Sequence, residues 1–263
     1  MILQDSTVMV VGVGPGLGRS CAAAALRDGA NVVAVARNLE RLTDVAAELD
    51  PSGERILVAG ADMMDQASLE AAVSSGVERF GGLDAVINVA AMDATVGSFA
   101  DLDDDELRKV LEINALGAVN VVRSVVPTFS ANERGGSVVL IGSQASLKPV
   151  TAIPQFAYSA AKSALLAMAR NMAAELGPQG IRVNTVLPTW MWGPNVKMFC
   201  EWQAAERGIT AEEVRDEIAQ GMSLREMPTD ADVAEAAVFF ASDRARMVTG
   251  QRLLVNAGEF YDT

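Results

Sequence analysis

The sequence predicts one α/β domain in which a parallel sheet of about seven strands is covered by helices on both faces, a doubly wound arrangement. Three observations predict it. Short β-branched runs alternate with longer helical patterns from end to end, the runs are almost continuously apolar, and no Pro/Ser-rich linker or change of composition divides the chain. We therefore expect residues 1–263 to form a single domain.

The strands are the short apolar runs. Parallel strands that are buried on both faces lose the polar alternation of a half-exposed strand, and these runs lack that alternation. We place strands at Thr7–Val11, Asn31–Ala36, Arg55–Ala59, Leu83–Val89, Ser137–Ile141, Arg182–Leu187 and Arg252–Val255.

The segments between the runs have helical periodicity, and several carry end signals. Asp103 with Glu106 and Thr210 with Glu213 have the spacing of a capping box. Gly177-Pro178 is a stop signal for the long helix before it. The expected helices lie near Gly16–Asp28, Leu39–Leu49, Gln66–Phe80, Asp104–Phe129, Phe156–Leu176 and Asp230–Ala241.

Residues 189–228 break the alternation, and we expect an irregular insertion there with one or two helices. Large apolar side chains of this kind bury much area and adapt to irregular shapes, which favours a lid over a bulky hydrophobic substrate. Packing of the lid on its own domain or on a neighbouring subunit is the alternative. The side chains concerned are Trp190, Met191, Trp192, Met198, Phe199 and Trp202.

Composition excludes several classes of function. The formal net charge of −13 argues against a nucleic-acid partner and against an anionic membrane surface. Because the chain contains no His, it lacks Ser-His-Asp and Cys-His catalytic systems and His-ligated zinc, and we expect no metal site. Cys21 and Cys200 are far apart and are expected to be buried thiols of a cytoplasmic protein. Any proton transfer therefore falls to Tyr, Lys or carboxylate groups.

A glycine-rich turn follows the first strand and opens the first helix. Glycine lets backbone approach a pyrophosphate closely, and the helix N-terminus adds unpaired N–H groups and partial positive charge. In this position the pattern predicts a Rossmann-type dinucleotide site, although a glycine turn that binds nothing is the other interpretation. The residues are Gly12, Gly14, Gly16, Leu17 and Gly18.

The end of the second strand indicates which dinucleotide is bound. An NAD site usually places Asp or Glu there for the ribose 2′-hydroxyl, whereas here Ala36 is followed by Arg37 and Asn38. A guanidinium group can grip a 2′-phosphate that no carboxylate repels, so NADP is favoured. An Arg37 side chain that only faces solvent remains possible at this point.

Tyr158 and Lys162 are spaced by one helical turn, so their side chains can converge on one pocket. A free Tyr titrates near 10, and a cation at ~4 Å would favour the phenolate by about three pKa units at an effective dielectric constant of about 20. The pair therefore predicts an acid/base group active near neutral pH, with simple packing as the alternative.

With these motifs in order, the chain resembles the short-chain dehydrogenase/reductase family over essentially its whole length. Joint occurrence in the right order is more specific than any single motif. The resemblance is carried by the glycines at 12, 16 and 18, Asp62-Met63, Asn88-Val89-Ala90-Ala91, Asn114, Ser143, Tyr158 with Lys162, Arg182-Val183-Asn184 with Pro188, and Thr249-Gly250-Gln251.

The resemblance implies catalytic roles. Tyr158 would be the proton donor and acceptor, and Lys162 would bond the nicotinamide ribose and lower the Tyr pKa. Ser143 would orient the substrate oxygen, and Asn114 would hold a water that links Lys162 to solvent. Ser146 is the alternative hydroxyl, but Ser143 lies closer to the strand end where open α/β sheets bind ligands.

The resemblance also implies cofactor contacts beyond the glycine turn. Asp62, followed by Met63, would meet the adenine, and Asn88 and Ala90 would line the groove. Pro188 follows the sixth strand. Backbone at Met191 would reach the nicotinamide carboxamide.

Five positions depart from the family pattern. Four of them replace a Thr, an Asn and two Gly without touching the proton-transfer set. The fifth, Gly193, stands where the family has a Thr that contacts the cofactor near its nicotinamide end, which puts the path of that loop in doubt. The other four are Val11, Val89, Ala91 and Ala257.

The sequence thus predicts an NADP-dependent oxidoreductase acting on a hydrophobic ketone or secondary alcohol. A 3-oxoacyl thioester reductase and a non-catalytic NADP-binding sensor are the alternatives. Ala160, Ala161 and Ala164 form a second small apolar surface on the helix of Tyr158. This surface suggests subunit packing, as a homotetramer by family resemblance or as a dimer.

Overall fold

The computed structural model describes residues 1–92, 97–149 and 153–261. Its centre is a seven-stranded parallel sheet of order β3-β2-β1-β4-β5-β6-β7, which confirms the predicted doubly wound fold. The order reverses between β1 and β4, and ligands of open α/β sheets bind at such a point. The strands are β1 Thr7–Val11, β2 Asn31–Ala36, β3 Ile56–Gly60, β4 Ala85–Asn88, β5 Gly136–Ile141, β6 Ile181–Pro188 and β7 Arg252–Val255.

Helices cover both faces of the sheet. Each of the six stretches expected to be helical contains helix, with the fourth divided into two helices, and two more helices lie in the 189–228 segment. The helices are α1 Leu17–Arg27, α2 Leu39–Leu49, α3 Gln66–Phe80, α4 Asp104–Leu111, α5 Gly117–Ala131, α6 Phe156–Leu176, α7 Pro194–Arg207, α8 Ala211–Ala219 and α9 Asp230–Ala241.

The core consists of two apolar layers, one on each face of the sheet. One layer packs α1 and α9 against the strands, and its members include Cys21, Val32 and Val238, all fully buried. The other packs α3, α5 and α6, with Leu69, Phe129 and Leu165 at its centre. Two rigid layers fix the strand ends, and the residues that follow those ends therefore have defined positions.

One expected helix is interrupted. The stretch predicted at Asp104–Phe129 contains a five-residue π-helical segment, Glu112–Leu116, between α4 and α5. A π-helical turn of this kind cannot be foreseen from periodicity, and such turns are frequently found at functional sites. The whole stretch Asp104–Ala131 is long and apolar enough for a membrane span, but half of its most apolar window is buried in the fold, as in a core helix.

The long helix α6 ends at Leu176, as the Gly177-Pro178 stop signal predicts, and the left-handed residue follows at Gly180, whose φ is 74°. One smaller expectation needs correction. Ala161 is fully buried, and it packs against Val110 of α4 in the same chain. Of the three Ala residues proposed for a subunit surface, Ala161 is therefore buried by contacts within its own chain.

The 189–228 segment folds into α7 and α8, which pack on each other. Cys200, Ala204 and Val214 form its small core, and Trp192 and Phe199 are half-buried against that core. The expected capping box at Thr210 and Glu213 starts α8. Part of the aromatic set thus packs within the segment itself.

Candidate active site

The carboxyl ends of the parallel strands deliver most of the predicted site residues to one edge of the sheet. This follows from the parallel register, because each strand ends in the same direction. The residues at or just beyond these ends are Gly12 after β1, Arg37 after β2, Asp62 after β3, Asn88 in β4, Ser143 after β5 and Pro188 in β6.

The glycine turn has a geometry that only glycine permits. Gly12 has a φ of 96°, and a Cβ there would lie 2.5 Å from the backbone nitrogen of Ala90. A Cβ on Gly18 would lie 2.1 Å from the carbonyl oxygen of Gly12. At Gly14, by contrast, no described atom lies within 4 Å of the Cβ position. The turn is therefore packed tightly on the protein side and open at Gly14.

The start of α1 has the properties of an anion site. Its N-cap is Gly16, which offers no side-chain hydrogen bond to the first N–H groups of the helix, and its first turn carries no acidic residue. Uncapped N–H groups and the helix dipole favour a phosphate there. Leu17 is the first residue of this helix and is buried.

Asn88 supplies an independent sign of a ligand beside this turn. Its side chain is 4 % exposed, and its Oδ1 has no hydrogen-bond partner among the described residues. A buried amide oxygen without a donor is costly, so a partner outside the chain is expected. Ala90, two residues on, hydrogen-bonds the carbonyl of Val11 and lies against Gly12. The orphan oxygen and the glycine cradle together fit a dinucleotide.

At the end of β2, the guanidinium group of Arg37 is 78 % exposed and lies 3.9 Å from a carboxylate oxygen of Asp62. The two residues predicted to meet the adenosine end are thus neighbours. Asn38 caps α2, and its Oδ1 accepts from the backbone N–H of Arg41 at 3.0 Å. Met63 is buried, and its carbonyl accepts a hydrogen bond from Asn120.

Tyr158 and Lys162 lie on the same face of α6. The Lys162 Nζ is 5.7 Å from the centroid of the Tyr158 ring. The Lys162 side chain is 3 % exposed, and its ammonium group donates to the carbonyl of Ile141 at 2.8 Å. Since Ile141 ends β5 two residues before Ser143, this bond fixes α6 beside the strand that carries the serine. Tyr158 itself is half-exposed, so its ring is accessible.

The two candidate serines differ in their hydrogen bonds. The Ser146 hydroxyl donates to the carbonyl of Ser143 at 2.6 Å and is committed to that turn. The Ser143 Oγ accepts from the N–H of Ala145 at 3.2 Å, and its proton has no acceptor among the described residues. Ser143 is therefore the hydroxyl of the two that can still donate.

Asn114 lies in the π-helical segment and is 2 % exposed. Its amide donates to the carbonyls of Met92 and Val110, and its Oδ1 accepts from the N–H of Met92. The side chain thus joins the widened helix to the loop after β4. This contact explains why a residue unfavourable in helices stands there.

At the end of β6, Pro188 leads into the loop that carries Met191. The Met191 carbonyl accepts from the N–H of Gly193 at 2.6 Å, and the N–H of Trp192 donates to the carbonyl of Pro228. A Cβ on Gly193 would lie 2.7 Å from Oδ1 of Asp230. The loop therefore lies against the start of α9.

Sequence reasoning missed Asp230 as a site neighbour. Its carboxyl group lies near Gly16 as well as Gly193, and its buried Oδ1 has no partner among the described residues. Burial raises the pKa of Asp230, and the Lys197 ammonium group opposes the rise. The only sequence signal was an Asp at the start of a helix, where acidic residues are common.

A polar link between the C-terminal segment and the substrate side was also missed. Glu259 accepts a hydrogen bond from the Thr189 hydroxyl and lies 3.4 Å from the Lys148 ammonium group. The link joins the loop after Ser143 to the first residue of the 189–228 segment. Contacts over such long sequence separations leave no local pattern.

The chain is similar in sequence and in structure to known oxidoreductases. A family model described as "Enoyl-(Acyl carrier protein) reductase" matches residues 12–259. L-rhamnose 1-dehydrogenase (NAD(P)(+)) of Azotobacter vinelandii is 31% identical, with 99% of this chain and 98% of that protein covered. (-)-trans-Carveol dehydrogenase of Rhodococcus erythropolis is 28% identical, with 97% and 98% covered. The crystal structure of a short-chain dehydrogenase/reductase from Brucella melitensis, titled glucose/ribitol dehydrogenase, superposes with a TM-score of 0.86 at 26% identity, covering 99% of both chains.

Proposed function

The chain belongs to the short-chain dehydrogenase/reductase family of oxidoreductases, and from this premise we propose that it is an NADP-dependent enzyme for hydrophobic ketones or secondary alcohols. Tyr158 is its acid/base. The observation that carries the proposal is the position of the Lys162 ammonium group, 5.7 Å from the Tyr158 ring and bonded to the end of β5.

The proton-transfer roles follow from that placement. A cation near a phenol favours the phenolate, so the position of Lys162 supports Tyr158 as the group that releases and takes up the proton. Ser143 donates its free hydroxyl proton to the substrate oxygen and holds it toward Tyr158. Asn114 is proposed to hold the water that connects Lys162 to solvent.

The cofactor supplies the hydride chemistry when bound. The glycine turn and the start of α1 are proposed to hold its pyrophosphate, and Asn88 with Ala90 to line its groove. Arg37, with Asn38 beside it, is proposed to select NADP through the 2′-phosphate. Asp62 and Met63 lie at the adenine end, whereas Pro188 and Met191 lie at the nicotinamide end.

The substrate class rests on the lid, which we assign to residues 189–228. Trp190 and Phe199 lie 5.3 Å apart, and Trp202 and Met198 remain mostly exposed on α7. Such a surface suits a lipophilic ring, and one relative is named for carveol. Lys148 and Glu259 add one polar link at the same side.

A 3-oxoacyl thioester reductase is the second candidate. The description of the matching family model, an acyl carrier protein reductase, favours it. The net charge of −13 opposes it, because an acidic carrier protein needs a basic docking patch.

A substrate panel tests these alternatives. NADPH oxidation is followed with cyclic terpenoid ketones, quinones, an aldose and a 3-oxoacyl thioester, and NADP reduction with the matching alcohols. Turnover of the lipophilic ketones is expected to exceed that of the aldose and the thioester. Preference for the thioester would establish the second candidate, and turnover with NADH alone would reject the NADP assignment.

Two properties beyond the reaction are also proposed. The free cysteines Cys21 and Cys200, both buried, are in keeping with action in the cytoplasm. We expect a homotetramer, which sedimentation analysis would distinguish from a dimer.

A further inference from the structure

The carboxyl group of Asp230 lies at the meeting point of two helix starts. A Cβ on Gly193, the N-cap of α7, would lie 2.7 Å from its Oδ1, and a Cβ on Gly16, the N-cap of α1, would lie 3.6 Å from its Oδ2. Gly193 is itself buried, so a side chain there would displace the carboxyl group. The missing side chain at position 193 thus makes room for Asp230.

Capping of α9 does not explain this carboxyl group. The N-cap is Thr229, and Asp232 completes a reciprocal capping box with it. The Oδ1 of Asp230 is buried and has no hydrogen-bond partner among the described residues. A buried carboxyl oxygen without a partner costs stability, which suggests that the group serves a ligand.

The ligand beside this carboxyl group is an anion under the proposed function. The start of α1 is the proposed pyrophosphate site, and Gly16 belongs to it. An ionised carboxylate next to a phosphate is repelled, whereas a neutral carboxyl group can donate a hydrogen bond to a phosphate oxygen.

Burial favours the neutral form of Asp230, against the two helix starts, which favour a carboxylate. Burial is the larger influence and raises its pKa, while the Lys197 ammonium group on α7 opposes the rise. On α1 the facing titratable group is the Cys21 thiol, which is fully buried, and whose own pKa is raised by burial and by Asp230. On α9, Asp232 is turned to the backbone of Thr229.

We propose that Asp230, as a neutral carboxyl group, donates a hydrogen bond to the phosphates of the bound dinucleotide, so that nucleotide binding takes up a proton. The inference rests on the proposed function, since it needs a dinucleotide at the glycine turn. It makes Asp230 a binding residue of this chain and makes nucleotide affinity fall as pH rises.

The test measures the NADPH dissociation constant by fluorescence across a range of pH. The unmodified protein is compared with Asp230→Asn and Asp230→Ala. The control is Glu175→Gln, whose carboxylate is exposed on α6. The 2′-phosphate of NADPH also titrates within the pH range of the measurements, so they are repeated with NADH and read as ratios between variants. Relative to Asp230→Asn, the Kd of the unmodified protein should rise with pH by up to about tenfold per unit. Asp230→Ala should bind more weakly than Asp230→Asn at every pH, because it has no donor.

Calorimetry in buffers of different ionisation heat gives a second readout. On binding nucleotide, the unmodified protein and Glu175→Gln should each take up more protons than Asp230→Asn, by a fraction of one proton per bound nucleotide. Superimposable pH profiles and equal proton uptake in the unmodified protein and Asp230→Asn would overturn this inference alone. Failure of the unmodified, folded protein to bind either nucleotide would overturn the proposed function and this inference together.

Discussion

Lys162 places its ammonium group 5.7 Å from the centre of the Tyr158 ring while donating to the carbonyl of Ile141 at 2.8 Å. The cation is buried and held by a strand end, so its effect on the phenol does not depend on a mobile side chain. A fixed charge in a site of low dielectric constant acts more strongly than one in water.

Replacement of Tyr158 by Phe removes the hydroxyl group and leaves the ring in place. We expect kcat to fall by about 10³-fold or more, since general acid/base catalysis contributes on that order. Affinity for NADPH should change little. The matched control is Tyr261→Phe, because Tyr261 is exposed and its hydroxyl pairs with Ser223. Near-normal turnover by Tyr158→Phe in steady-state assays would reject the role.

Replacement of Ser143 by Ala removes the hydroxyl group that can still donate a proton. We expect kcat/KM to fall by about 10²–10³-fold, the usual loss when one donor to a charged oxygen is deleted. Ser146→Ala is the comparison, since that hydroxyl already donates to the Ser143 carbonyl. It should lose less than about tenfold, a smaller loss than that of a direct donor. A larger loss in Ser146→Ala than in Ser143→Ala would exchange their roles.

The fold was predictable because its signals are local and repeated. Each buried parallel strand is an apolar run, and β1, β2 and β7 have the predicted bounds. The strand predicted at Leu83–Val89 is shorter in the structure, since only Ala85–Asn88 pairs with its neighbours. Apolar residues at the ends of a run continue the pattern after the sheet hydrogen bonds have stopped.

The candidate site was predictable only where a motif is short. The turn at Gly12 and the pair of Tyr158 with Lys162 lie within a few residues of sequence. Asp230 reaches Gly16 across more than 200 residues, so nothing near Asp230 in the sequence announces the contact.

Arg37 should decide the choice between NADP and NAD. Its guanidinium group is mostly exposed, and the described contact is a distant one with Asp62 at 3.9 Å. In Arg37→Asp, the new carboxylate should repel the 2′-phosphate and accept from a 2′-hydroxyl, which reverses the preference measured as the ratio of kcat/KM values. Arg246→Asp is the control, because this exposed cation follows α9 at the opposite edge of the sheet. An unchanged ratio in Arg37→Asp would mean that the 2′-phosphate is held elsewhere.

Two alanine substitutions in the glycine turn should separate folding from binding. Gly18→Ala places a Cβ 2.1 Å from a backbone oxygen, and the free energy of unfolding should fall by about 1–3 kcal/mol, as in other overpacked sites. Gly14→Ala meets no described atom within 4 Å, so thermal unfolding should be nearly unchanged. NADPH affinity should nevertheless fall in Gly14→Ala, because the open side of the turn is the proposed pyrophosphate side. Equal melting temperatures for the two variants would contradict the packing argument.

Asp230 should make the stability of the nucleotide-free protein depend on pH. Burial raises its pKa in the folded state above the value of about 3.9 expected in the unfolded chain. Between the two pKa values the folded state binds more protons than the unfolded state. The stability from this group is therefore complete below the unfolded pKa and is lost as pH rises through the folded pKa.

Asp230→Asn lacks this loss of stability with rising pH. Its melting temperature should therefore exceed that of the unmodified protein by a margin that grows with pH and then levels off, whereas Glu175→Gln should follow the unmodified protein. A margin that is constant or shrinks with rising pH in calorimetric scans would show that the carboxyl group is ionised in the folded state as readily as in the unfolded one.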